Sequence, residues 1–243
     1  MQMQNLSTDE LLDRLEWRRE IRNVMGRISH DYAVKEEAQV FDRYWTRTQE
    51  PCLGINTGYY KGREAVAGYY QALGEEIALT SRLIQQRFPA ELGSLSEQEA
   101  YGVGMMTYLP FDSHVIEIAG DGQTAKGIWN VRGSRSYLTT AGPVANWTYG
   151  WTAVDFIRED GEWRVLNMLL VYNIDHQCGV GFTEAEKVYP PEEAFAEIAG
   201  FQMPAPNVPC TVMETFSPNR PLTRSPAVPV PYESFAETFS YGI

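Results

Sequence analysis

The chain changes its hydrophobic period once. Up to about residue 84 apolar residues recur at helical spacing, and from Val115 onward they follow strand spacing. Helices first and strands afterwards give an α+β class, with early helices packed on a later sheet. Ser7-Thr8-Asp9-Glu10 reads as a capping box, in which the serine hydroxyl accepts from the amide three residues on and the glutamate reaches back. Leu11, Leu12, Leu15, Ile21, Val24, Met25 and Ile28 continue the stripe, and Gly26 predicts a bend. A second helix is expected from about Ser29 to Arg47, with Tyr32, Val40, Phe41, Tyr44 and Trp45 on its apolar side. Residues 51–58 read as a loop, and Gly62-Arg63-Glu64-Ala65-Val66 opens a third helix that extends as far as Ile84. Residues 88–104, with Pro and several Gly, read as a mobile connection.

In the second half, Gly120-Asp121-Gly122 and Glu159-Asp160-Gly161-Glu162 are turn signals between strands. The strands are expected at 115–118, 125–132, 147–158 and 163–173. The last is apolar on both alternating sets: Trp163, Val165, Leu169 and Val171 on one, Leu166, Met168 and Leu170 on the other. A sheet with one wet face alternates with polar residues, so the second face must also be covered. A second copy of the chain is the economical cover, and the chain's own tail is the alternative. Residues 1–200 are expected to form the domain. Residues 201–243 are expected to form a Pro-rich extended arm with anchors at Phe216, Tyr232, Phe235, Phe239 and Tyr241, packed on the domain or on a neighbour.

Charge and cysteine usage narrow the partners. A net charge of −12 disfavours nucleic acid and anionic membrane surfaces. The polar, acidic start lacks the basic-then-apolar pattern of a secretory signal, and no stretch resembles a membrane span. Cys52, Cys178 and Cys210 are widely spaced with no CxxC, which fits a reducing cytoplasm. His30, His114 and His176 are too dispersed for a zinc signature, and no cofactor motif is present.

Three segments carry a resemblance. Gly58-Tyr59-Tyr60-Lys61-Gly62-Arg63-Glu64-Ala65-Val66 resembles the element that opens the third helix of SnoaL-like proteins of the NTF2-like superfamily. The run Ile116 to Trp129 resembles their central hairpin, and Asp155 to Val165 their closing hairpin, in the same order. Pro229-Val230-Pro231-Tyr232-Glu233-Ser234-Phe235 is similar to the arm of a longer bacterial subgroup that includes cofactor-free lyases of lignin-derived aromatic dimers. The resemblance implies a cone: a curved antiparallel sheet closed by the N-terminal helices, commonly dimeric through the sheet. It also implies a departure. Related chains often carry His where this one has Asn167, and another His where it has Tyr108-Leu109-Pro110.

Catalysis without a cofactor needs polar groups held in an apolar cavity, where pKa values move and hydrogen bonds to developing charge strengthen. His30 could be a general base, or a histidine satisfied at the helix bend. Tyr32 and Tyr44, on the apolar stripe, could orient a substrate or simply pack. Tyr59 and Lys61 share parity at the opening of the third helix, where a Lys beside a Tyr could bind an anionic oxygen; a solvated Lys is the plainer reading. Asn130 and Arg132 oppose Trp129 in the central hairpin, so either the polar pair or the indole faces the cavity. Trp147, Tyr149, Trp151 and Asp155 share one face, suited to an aromatic ligand with Asp155 as acid or base, or else an aromatic core or dimer face. Asn167, among apolar neighbours, needs partners from a ligand or a buried water.

From these residues the expected function is a cofactor-independent lyase or isomerase of a small aromatic molecule, dehydrating or releasing a small aldehyde. His30, Tyr59 and Asp155 would move protons, and Arg132 or Lys61 would stabilise the oxyanion. A non-catalytic binder of hydrophobic ligands and a scaffold protein are the alternatives, since the fold hosts all three.

Overall fold

A computed structural model describes residues 6–139, 142–181, 183, 199–210, 215–221 and 226–243. The order is α1 (Thr8–Ala33), a 3-10 turn (Glu37–Gln39), α2 (Val40–Tyr44), β1 (Cys52–Ile55), β2 (Gly58–Lys61), α3 (Arg63–Arg87), α4 (Pro89–Leu92), α5 (Glu97–Ala100), β3 (Met106–Tyr108), β4 (Phe111–Ile118), β5 (Thr124–Thr139), β6 (Gly142–Glu159), β7 (Glu162–Gln177) and β8 (Val208–Pro209). The α+β class holds: N-terminal helices cover one face of a curved sheet that does not close. Among the described residues no helix is long and apolar enough to cross a membrane.

The capping box forms as read, with Ser7 accepting from the Glu10 amide and the Glu10 carboxylate accepting from Ser7. The helix is not broken at Gly26. α1 runs unbroken to Ala33, and Gly26 faces open space where a side chain would also fit. The helix stops instead at Lys35, whose φ of 64° is left-handed and incompatible with continuing an α-helix. The predicted second helix therefore shrinks to one 3-10 turn and the short α2. The region 88–104 holds α4 and α5, the latter opened by a capping box between Ser96 and Glu99.

The sheet runs β3-β5-β6-β7-β1-β2-β8, with β4 continuing the edge that β3 begins on β5. It is mixed rather than antiparallel. The segment read as a loop at 51–58 is the hairpin β1–β2, and β1 lies parallel to β7, with Cys52, Leu53 and Gly54 opposite Asn167, Met168 and Leu169. β1 enters after α2, which returns the chain along the start of β7, so the two strands run the same way.

Two register shifts decide which side chains face the helices. Between Asp155 and Phe156 of β6, β7 spends one extra residue, and between Tyr149 and Gly150 it does so again. Each bulge flips the parity of the strand beyond it. Trp163 and Val165 face the helices before the first bulge, and Met168 takes that side after it, within a core that includes Ile21, Met25, Ile28, Trp45, Tyr70, Trp129 and Phe156. Leu169 and Val171 consequently face away, against Tyr59 and Tyr241. The strand's two faces are apolar as read, but the bulge exchanges their membership halfway. At the second bulge the strands close so tightly that a Cβ on Gly150 would sit 1.8 Å from the Val171 carbonyl oxygen, so only glycine fits.

The far face carries the described part of the arm. β8 pairs with β2, the Phe216 amide donates to the Asn173 carbonyl, and Tyr232 and Tyr241 are buried against the sheet. The remainder of the segment from 201 lies outside the described residues.

Candidate functional site

The four residues read as catalytic do not converge. His30 is exposed in the last turn of α1. Arg132 is exposed on the far face beside Asp112, at 3.3 Å. Tyr59, half-buried on that same face, packs with Leu169 and Tyr241. Asp155 is wholly buried there in an ion pair with Lys126 under the arm. Of the residues read as substrate contacts, Asn130, Trp147 and Tyr149 are exposed on the far face, and Lys61 is exposed at the end of β2. Asn167 donates to Asp155 and to Ser240 beneath the arm. Tyr32, Tyr44 and Trp129 lie on the helix side, where Tyr32 and Trp129 belong to the packed core and Tyr44 borders it.

A different set of polar groups gathers on the helix side, where β5, β6 and β7 extend beyond the packed core. Arg135 shares the parity of Trp129 along β5, and Asn146 stands opposite it on β6. Asp175 of β7 is buried; its Oδ1 accepts from Asn146 Nδ2 at 3.0 Å and from Thr148 Oγ1 at 3.4 Å, and its Oδ2 accepts from Arg135. The Arg135 guanidinium lies over the Tyr172 ring, 5.4 Å from its centroid. Three neutral or cationic donors on one carboxylate fix the fork in place, with the aromatic face as a second restraint.

Lys35 enters the same region from the end of α1. Its left-handed backbone is the cost of the turn that aims it inward. Its Nζ donates to Thr107 Oγ1, and Thr107 is the partner of Arg135 in the β3–β5 ladder. Gly102, itself at φ 77°, lets its backbone lie on the Lys35 stem; a Cβ there would come within 2.8 Å of Lys35 Cγ. Lys35 Nζ is 3.5 Å from Glu37 Oε1, both side chains are buried, and Glu37 Oε2 has no hydrogen-bond partner. Burial pushes Lys35 below the ordinary lysine range, aided by the nearby charge of Arg135 and opposed by Glu37 and Glu76. Burial also pushes Glu37 above the ordinary carboxylate range, opposed by Lys35.

Tyrosines border this cluster. Tyr32 and Tyr70 share a hydroxyl contact at 3.4 Å, and Tyr69 stands edge-on to Tyr70 with centroids 5.5 Å apart. Burial raises all of their phenols, Tyr70 to about 12, and raises Tyr172 to about 12 against the pull of Arg135. They remain neutral hydrogen-bonding groups and aromatic walls. Among the described residues no three His, Cys, Asp or Glu side chains gather as a metal site.

The Lys35–Glu37 pair has a measurable consequence. The stability that favours protonated Glu37 is complete below the usual carboxylate range and is lost as pH rises through its raised value. The stability that favours neutral Lys35 is complete above the usual lysine range and is lost as pH falls through its lowered value. Between the two shifted values neither is present, so in that window the charged pair burdens the fold. Replacing Lys35→Met together with Glu37→Leu is expected to leave the unfolding free energy at pH 7 unchanged or to raise it by about 1–4 kcal/mol, read by urea denaturation.

No family model and no curated protein matches the chain. Solved structures similar to it include a variant of Rv3472, a protein of unknown function from Mycobacterium tuberculosis, at 14% identity over 79% of this chain and 89% of that chain, TM-score 0.47. They also include the hexachlorocyclohexane dehydrochlorinase LinA-type3 from Novosphingobium barchaimii LL02, at 16% identity over 74% of this chain and 99% of that chain, TM-score 0.46. A third is an NTF2-like superfamily protein from Salmonella enterica, at 12% identity over 69% and 99%, TM-score 0.46. The fold described above rests on the element order and strand pairing of this chain itself.

Proposed function

We propose that the chain is a SnoaL-like member of the NTF2-like superfamily and acts as a cofactor-independent lyase on a small aromatic molecule held on the helix side of the sheet. The observation that carries this reading is the buried Lys35–Glu37 pair, with a free carboxylate oxygen, beside an Arg135 fixed by Asp175. Glu37 takes a proton from a carbon next to a carbonyl or phenol-bearing ring. Arg135 holds the oxyanion that develops, as a planar, permanently charged fork does well. The leaving hydroxyl departs as water with a proton from Lys35, and Glu37 returns the abstracted proton to Lys35 to close the cycle. A substrate with a hydroxymethyl group on the carbon next to the one bearing the leaving hydroxyl would instead give its O–H proton to Glu37; the C–C bond to formaldehyde breaks, its electron pair forms the new C=C bond, and the hydroxyl leaves as water with the proton from Lys35. Tyr69 and Tyr172 supply aromatic walls.

A screen of aromatic diols, ketones and stilbene precursors by thermal shift, followed by turnover assay, tests the reading. Ligands that bind only the folded state raise its melting temperature. The Glu37→Gln variant is expected to lose turnover by roughly 100-fold or more, with a lowered melting temperature because Lys35 loses its counter-charge, and circular dichroism checks that the fold is retained at the assay temperature. No stabiliser across varied aromatics, or full turnover in Glu37→Gln, would sink the proposal.

A second copy of the chain is a further proposed partner. Trp147 and Tyr149 stay 45% and 41% exposed on the far face, in a strip flanked by Trp151, which suits sheet-to-sheet association. Light scattering on the wild type and on Trp147→Glu would separate a dimer from a monomer.

A further inference from the structure

A groove at the N-terminal end of α1, the end away from Lys35, meets the requirements of a second ligand site. It has a volume of about 370 Å³ and runs between the first turns of α1, the end of β4 and the arm. One stripe of α1 lines it, with Leu11, Arg14, Leu15 and Arg18 at the i, i+3, i+4 and i+7 positions. Ile118 and Tyr232 face that stripe.

The walls are fixed independently of any ligand. Arg14 donates to the Ile118 carbonyl at 3.3 Å and to the Gly120 carbonyl at 2.9 Å, tying α1 to the end of β4. On the opposite side the Gly120 amide donates to the Tyr232 carbonyl at 2.9 Å, and the Tyr232 hydroxyl meets Thr124 Oγ1 at 3.2 Å. The groove is therefore preformed, as small-molecule sites usually are.

Its chemistry is amphipathic. Leu11 and Leu15 leave 42% and 63% of their surface exposed along it, although the α1 stripe further on is buried. Two guanidinium groups stand at its edge in a chain of net charge −12. Arg14 is already satisfied by backbone carbonyls. Arg18 is held more loosely: its side chain is 40% exposed, it forms an ion pair with Glu117 at 3.8 Å, beyond hydrogen-bond reach, and its terminal N–H groups make no hydrogen bond among the described residues. Terminal guanidinium N–H groups that open to the groove without an acceptor are donors a carboxylate can take in bidentate fashion.

We infer that this groove binds an amphipathic monocarboxylate, with its aliphatic chain along Leu11, Leu15 and Ile118 and its carboxylate on Arg18. Charge complementarity selects the head group, and the exposed leucines select the tail. The acid binds as a free molecule and not as part of a bilayer.

Calorimetric titration of the full chain with octanoate, below its micelle concentration, tests this. One octanoate per chain is expected, weakened at least tenfold in Arg18→Gln and in Leu15→Glu, both exposed enough to leave folding intact. Octanol should bind at least tenfold more weakly than octanoate, because it cannot satisfy the guanidinium. An Arg135→Gln control should bind octanoate as the wild type does. Absence of saturable binding, wild-type affinity in either groove variant, loss in the Arg135→Gln control, or binding to phosphatidylglycerol vesicles without binding to octanoate would each overturn the inference.

Discussion

The Asp155→Ala variant is expected to lose about 3–5 kcal/mol of stability at neutral pH and to release the end of the arm. Lys126 is fully enclosed, and its Nζ lies 2.5 Å from Asp155 Oδ1. The other carboxylate oxygen accepts from Asn167 Nδ2 at 2.9 Å, Ser240 Oγ at 3.1 Å and the Tyr241 amide at 2.8 Å. The ammonium is also ringed by Phe239, Tyr241 and Phe235, with centroids at 4.5, 4.6 and 5.0 Å. One carboxylate thus neutralises a buried cation and pins the last turn of the chain across the sheet. Its removal strands the cation, the Tyr241 amide and the Ser240 hydroxyl together. Burial already lowers the Lys126 pKa, and Asp155 is what holds it up. Without Asp155 it falls further, so the variant should recover stability as pH rises from 7 toward 10 and the amine sheds its proton, a window in which the wild type changes less. Urea denaturation at both pH values and limited proteolysis of the arm read these effects. The paired change Lys126→Met with Asp155→Leu should restore stability, since two apolar groups of similar volume need no partner. An Asp155→Ala protein within 1 kcal/mol of wild type, with its arm still protected, would contradict this account.

That role for Asp155 marks where the sequence stops being legible. The turn of hydrophobic period at the middle of the chain, the two glycine turns and the capping box each act within a few residues, and each appears where it was read. The bulges in β7 do not. Nothing local distinguishes Leu166 or Asn173 as the extra residue, because the shift is set by how β6 and β7 pack over the helices. A slip of one residue moved Asn167 from the face of Trp163 to the face of Leu169 and put it beneath the arm. Lys126 was equally hidden, since the rings that enclose it lie more than 100 residues further along the chain. The site suffered differently. Gly133-Ser134-Arg135-Ser136 is too small and polar to announce a strand, yet β5 runs through it because β6 pairs with every residue as far as Thr139. Had the strand been extended, Arg135 would have fallen on the side of Trp129. The spacing around Lys35 and Glu37 places them in a continuous helix; only the left-handed turn at Lys35 draws them inward, and tertiary contact with Gly102 and Thr107 holds that turn.

Arg135→Gln is expected to lower turnover on any aromatic substrate found by the screen by roughly 100- to 1000-fold, the effect of removing one fixed donor from a developing oxyanion. Asn146 and Thr148 still donate to Asp175 in this variant, and a melting curve taken alongside the assay separates the cost of the unpaired carboxylate from the loss of chemistry. The pH profile makes the assignment specific. With Glu37 as base and Lys35 as acid, the wild-type profile is a bell whose acidic limb lies above the usual carboxylate value and whose alkaline limb lies below the usual lysine value. Arg135 is one of the charges that push Lys35 down, while Glu37 owes its shift mainly to burial. Removing Arg135 should therefore move the alkaline limb to higher pH and leave the acidic limb where it was. A merely structural arginine would lower the whole bell without displacing either side. A variant whose turnover falls with both limbs unmoved would separate Arg135 from Lys35, and one that keeps wild-type turnover would remove Arg135 from the reaction.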